Sequence, residues 1–89
     1  MEWGLKIIFD RKVYRYRAEL KPYSNSFEHI RIIARNKTLV FQSNRPLLKS
    51  KFLKHRPIDF ILIQGTVNNQ YFLELIMKSL EEKLRENKW

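Results

Sequence analysis

The 89-residue sequence is 44% hydrophobic, 13% aromatic and 30% charged, and 18 Lys plus Arg against 9 Asp plus Glu leave a net charge of +9. The absence of cysteine excludes disulfides, thiolate metal sites and cysteine nucleophiles, and with Gly4 and Gly65 as the only glycines no glycine loop can cradle a phosphate. The start, MEWGLKII, has an acid at position 2 and a lysine inside its short apolar run. The longest apolar run, Phe60 to Ile63, falls far short of the roughly 20 residues of a bilayer span. The expectation is a soluble cytoplasmic protein with no membrane partner, folded as one small domain over residues 1–89. A domain of this size hides only about 60–65% of its unfolded surface, so self-association is a natural way to bury more.

In chain order, Trp3, Leu5, Ile7 and Phe9 alternate with Gly4, Lys6 and Ile8, the period of two of a half-buried strand. Tyr14, Tyr16, Ala18 and Leu20 alternate with Val13, Arg15, Arg17 and Glu19 in the next run. A two-residue turn at Arg11 and Lys12 would oppose Phe9 with Tyr14, Ile7 with Tyr16, Leu5 with Ala18 and Trp3 with Leu20. One face is then apolar and aromatic. The other carries Lys6 opposite Arg17 and Ile8 opposite Arg15.

Pro22 ends the second strand, and Ser24, Asn25 and Ser26 supply turn chemistry. A third strand is expected over about Phe27 to Arg35 and a fourth over Thr38 to Ser43, joined by Asn36 and Lys37 and opposing Ala34 with Leu39, Ile32 with Phe41 and Ile30 with Ser43. The reverse face of this hairpin shows His29, Arg31, Ile33, Arg35, Thr38, Val40 and Gln42. Pro46 suits the first turn of a short helix, read over Leu47 to about His55, with Leu48 and Phe52 four apart. Ile58 to Gln64 is apolar on both faces apart from Asp59, as in a strand covered on both sides. Asn68 or Asn69 can cap a helix to about Asn87, whose stripe is Phe72, Leu73, Ile76, Met77, Leu80 and Leu84. Glu74 with Lys78 and Glu81 with Arg85 are favourable pairs four apart, and Lys83, Arg85 and Lys88 suit the negative end of the dipole.

The expected fold is therefore α+β: an antiparallel sheet of about five strands, two N-terminal hairpins plus a fifth strand, with a long C-terminal helix packed on one face.

Charge is unevenly spread. Residues 1–21 carry six basic and three acidic side chains, residues 22–57 eight and one, and residues 58–89 four and five. The positive field thus belongs to the sheet and its connector. Lys6, Arg15, Arg17, Arg31 and Arg35 would share one sheet face, with Arg45, Lys49, Lys51, Lys54 and Arg56 in the connector. Such a surface can track a phosphate backbone. Phe9, Tyr14, Tyr16 and Phe41 point to the core, so contact is expected to be mainly to phosphates, while Tyr23, Phe52 and Trp89 lie outside the strands and could still stack on bases.

Asp10 with Glu19-Leu20-Lys21 matches the bare D…ExK pattern of metal-dependent nucleases, but a turn aspartate and a far strand end lie on the order of 20 Å apart at about 3.3 Å per residue. His29 and His55 have no residue placed to orient them as bases and read as surface histidines. No catalytic residue, metal or cofactor is expected. Ile8, Val13, Ile33, Val40, Ile61 and Ile63 would form an apolar stripe on the basic face, covered by the Leu47–Leu53 segment or by a second copy. Two functions follow as expectations: a non-enzymatic module that binds DNA or RNA through phosphate contacts, or a homodimeric interaction domain whose basic surface is incidental.

Overall fold

In the computed structural model, which describes residues Met1–Glu86, alternating apolar residues become the strands β1 (Glu2–Phe9), β2 (Lys12–Pro22), β3 (Glu28–Ile33), β4 (Thr38–Ser43) and β5 (Phe60–Gln64). They form one antiparallel sheet in the order β1-β2-β3-β4-β5. The helices are α1 (Arg45–Ser50) and α2 (Gln70–Glu86). The architecture is the expected α+β sheet with a C-terminal helix on one face.

Both hairpins turn one residue earlier than expected. The tip of the first is Asp10–Arg11, so Phe9 faces Lys12, Ile7 faces Tyr14 and Lys6 faces Arg15, whereas Arg17 faces Gly4. Asp10 and Arg11 have φ of 52° and 63°, the pair of positive angles a type I′ turn requires, and aspartate tolerates that region better than lysine. The second tip is Arg35–Asn36, closed by Ala34 N–H donating to Lys37 O at 2.9 Å. That sets Ile32 against Leu39, Ile30 against Phe41 and Glu28 against Ser43. The last pairing gives buried Glu28 a hydroxyl partner. A register error of two leaves each residue on its original face, so the expected faces survive.

The inward face and α2 make the core. Leu5, Ile7, Ala18, Ile30, Ile32, Leu39 and Phe41 meet Ile76, Leu80 and Leu84, which recur every four residues along α2. Asn69 caps α2 by accepting the Phe72 N–H on Oδ1 at 3.1 Å. At the end of the sheet where both hairpin tips and the start of α2 lie, Phe72 is ringed by Phe9, Tyr14 and Tyr16, with centroids 5.0–6.5 Å away. Gly65, at φ 87°, turns the chain from β5 so close to Leu39 that a Cβ would lie 2.7 Å from its Cδ2. Asn87, the expected helix end, and Lys88 and Trp89, assigned to the dipole and to stacking, lie outside the described residues.

Three further expectations are corrected. β5 is covered on one side only: Ile61 and Ile63 are 58% and 47% exposed, because none of the described elements packs on the open face of the sheet. α1 ends at Ser50, with Leu48 buried but Phe52 turned outward. Glu74 accepts from Gln70 rather than pairing with Lys78. Glu81 does pair with Arg85, at 3.2 Å.

Candidate functional site

Apart from Arg31, which lies mid-sheet on the open face, the candidate cations divide into two regions toward opposite ends of a molecule 39 × 22 × 21 Å across. Lys6 and Arg15 sit directly across from each other on the open face toward the hairpin tips, with Arg17 two residues farther along β2. All three side chains are exposed. Lys6 and Arg15 occupy a two-stranded ribbon, because β2 is paired to β3 only from Arg17 to Pro22. Arg35 is not on the sheet face; it is exposed at the second hairpin tip, at the same end. Arg11 and Lys12 add charge at this end, a contribution that their expected place in the loop did not reveal.

The connector lies at the other end. Leu48 and Ile58 anchor it into the core beside α2, and Arg85 of α2 donates to the carbonyls of Lys54 and Arg56 at 3.1 and 2.7 Å. Lys49, Lys51, Lys54 and Arg56 are exposed there. The anchoring also means that the connector does not fold over the open face. The expected apolar stripe stays uncovered, and it is not continuous: Ile8 and Val13 lie at the tip end, while Val40, Ile61 and Ile63 lie toward β5, with Arg15, Arg17 and Arg31 between.

Two carboxylates take three of the cations. Glu19, 8% exposed, accepts from Arg31 Nε at 2.8 Å and lies 3.8 Å from Arg17. Hydrogen bonding by the Glu2 carboxyl, then by Arg31, holds Glu19 below the ordinary carboxylate range despite its burial. Glu28, 4% exposed, takes two hydrogen bonds from the half-buried Arg45, at 2.8 and 2.9 Å. Arg45 is therefore a structural cation, the inner half of a bidentate pair. Lys6, Arg15, Lys49, Lys51, Lys54 and Arg56 have no carboxylate within ion-pair distance among the described residues.

Beside the Glu19–Arg31 pair a shallow concavity of about 440 Å³ is lined by Lys21, His29, Val40, Ile63 and Gln64. Lys21 was missed as a candidate, although the alternation of β2 puts it on the same face as Glu19. His29 Nε2 lies 3.3 Å from Gln42 Oε1, and its ring stacks on Tyr23 at 4.2 Å and 17°. One face of Tyr23 is thus already used. Asp10 is at a hairpin tip and Glu19 is bound to Arg31, so the D…ExK residues do not converge. Among the described residues no three His, Asp or Glu side chains cluster as metal ligands, and no helix is long and apolar enough to cross a membrane. No family model, curated protein or solved structure matches the chain.

Proposed function

We propose that the protein is a non-enzymatic module that binds nucleic acid through phosphate contacts. The observation that carries this reading is the distribution of counter-charge. Glu19 pairs with Arg31 and lies within 3.8 Å of the exposed Arg17, and Glu28 pairs with Arg45, while two exposed groups, Lys6 with Arg15 and Lys49 with Lys51, Lys54 and Arg56, have no ion-pair partner among the described residues. Cations directly opposed across two strands, as Lys6 and Arg15 are, repel each other unless an external anion relieves them. Each phosphate neutralised releases counterions, so affinity falls steeply with salt.

Fluorescence anisotropy with labelled single- and double-stranded oligonucleotides at about 50 mM salt tests the proposal, since phosphate-driven affinity is largest there. Reversal of Lys6 and Arg15 to Glu, and separately of Lys49, Lys51 and Lys54, is expected to weaken binding at least tenfold in one or both variants. It should also flatten the salt dependence, by about 0.9 in log–log slope for each duplex phosphate that the variant no longer neutralises. Wild-type protein that binds neither oligonucleotide removes the reading.

A second reading is favoured by one specific feature. β5 is an outer strand whose five residues, Phe60 to Gln64, contain no charge and no proline. Outer strands normally carry such residues because unpaired backbone groups recruit other strands. Pairing of two β5 strands about a two-fold axis would make a homodimeric interaction domain.

A further inference from the structure

α1 closes in a Schellman arrangement that holds a phenylalanine where glycine is the usual residue. Phe52 N–H donates to Lys49 O at 3.3 Å and Leu53 N–H to Leu48 O at 2.8 Å, the two bonds that define the motif. Its C′ residue must take positive φ, and Phe52 has φ 57°. A side chain with a Cβ is disfavoured there, and a bulky one is an outlier. The apolar contact that accompanies the motif is supplied by others: Leu48 is buried in the core and the half-buried Leu53 packs against that core. The Phe52 ring contributes nothing to that packing, for it is 88% exposed, more than any other large hydrophobic side chain described. A strained backbone that presents an unused apolar ring is the kind of outlier from which a function can be argued.

Its neighbours indicate the ligand. Lys49, Lys51 and Lys54 are exposed, within three residues of Phe52, and without an ion-pair partner among the described residues. A flat ring projecting from a fixed turn among ammonium groups has the makings of a single-strand site: a stacking platform for one base, with cations for the phosphates on either side. A duplex offers such a ring little, because its bases are already stacked. The other exposed aromatics fit less well. Tyr23 already stacks on His29, and Tyr71 lies at the uncharged start of α2, Asn68 to Phe72.

We propose that Phe52 stacks on an unpaired base of a single-stranded nucleic acid whose flanking phosphates lie against Lys49, Lys51 and Lys54. The inference rests on the nucleic-acid reading above and adds to it the strand state and the contacting residue. The test is anisotropy at about 50 mM salt with a labelled oligothymidylate of about 16 nucleotides and a duplex of equal length. Wild type is compared with Phe52→Gly and Phe52→Trp, and the thermal midpoint of each is measured. Wild type is expected to prefer the single strand. Phe52→Gly is expected to lose about tenfold or more of that affinity while its midpoint holds or rises, since glycine suits the backbone. Phe52→Trp should bind as tightly as wild type or tighter.

Phe52→Gly that binds oligothymidylate like wild type overturns the inference and leaves phosphate binding standing. A lowered midpoint accompanying its loss of affinity would make Phe52 a folding residue and overturn it too. If Phe52→Gly keeps its oligonucleotide affinity but no longer floats with phosphatidylserine vesicles, the ring belongs to a lipid surface, which again overturns the assignment. Wild-type protein that binds neither oligonucleotide removes both readings.

Discussion

The guanidinium of Arg45 reaches the Glu28 carboxylate with two hydrogen bonds, and Ser43 adds a third donor to it at 3.3 Å. Ser43 Oγ in turn accepts the Arg45 backbone N–H at 3.0 Å. The four groups tie the end of β4 to the first turn of α1 and so fix where the connector leaves the sheet. Because Glu28 is almost fully enclosed, truncating Arg45 strands a buried charge; Arg45→Ala should cost about 3 kcal/mol of stability. Replacing both partners, Glu28→Gln with Arg45→Met, should recover most of that loss. Urea unfolding measures both. A cost below about 1 kcal/mol for the single variant would show that water reaches the Glu28 carboxylate. The Glu19–Arg31 pair plays the corresponding part on the open face, where it removes one positive charge from those available to a ligand.

At the scale of elements, the first hairpin contains a locally unfavourable turn. A type I′ loop prefers Asn-Gly, and Arg11 at φ 63° is held in a conformation that costs about 1 kcal/mol for a residue with a Cβ. Asp10→Asn with Arg11→Gly is expected to raise stability by about 1 kcal/mol, or roughly 4–8 °C in thermal midpoint for a domain of this size. A midpoint that stays or falls would mean that the Asp10 and Arg11 side chains themselves hold the tip. The ribbon this turn closes is braced from below, since Phe72 sits among Phe9, Tyr14 and Tyr16. Lys6 and Arg15 are consequently displayed on a stiff support, in contrast to the connector lysines, whose chain is held by the caps of α1 and by Arg85.

Across the whole molecule, the two edges of the sheet are treated differently. β1 carries Glu2 and Lys6, and its start is tied to β2 by Leu20 N–H donating to Met1 O at 2.8 Å, whereas β5 offers Ile61 and Ile63 and no charge. If β5 pairs between copies, sedimentation equilibrium should find a dimer that dissociates on Ile61→Lys; a monomer at every concentration would end that reading. The in-and-out alternation of each strand, the every-fourth-residue stripe Ile76, Leu80 and Leu84, and the excess of charge in the sheet and connector were all legible from residue order, because periodicity is a local property and an even register error does not disturb it. The positions of both tips were not, since the first turns on a small preference for positive φ at Asp10 and Arg11 and the second on the partner that buried Glu28 needs. Nor could the sequence separate a free cation from a paired one. Arg45 and Lys49 are alike in a count of charge, and only the packing that brings Glu28 beside Arg45 and leaves Lys49 in water distinguishes them. Phe52 was legible as an aromatic outside the strands, four residues after Leu48, but its place at the positive-φ position that closes α1 was not. The early end of α1 turned it outward, because a helix cap is set by backbone geometry that spacing alone does not reveal.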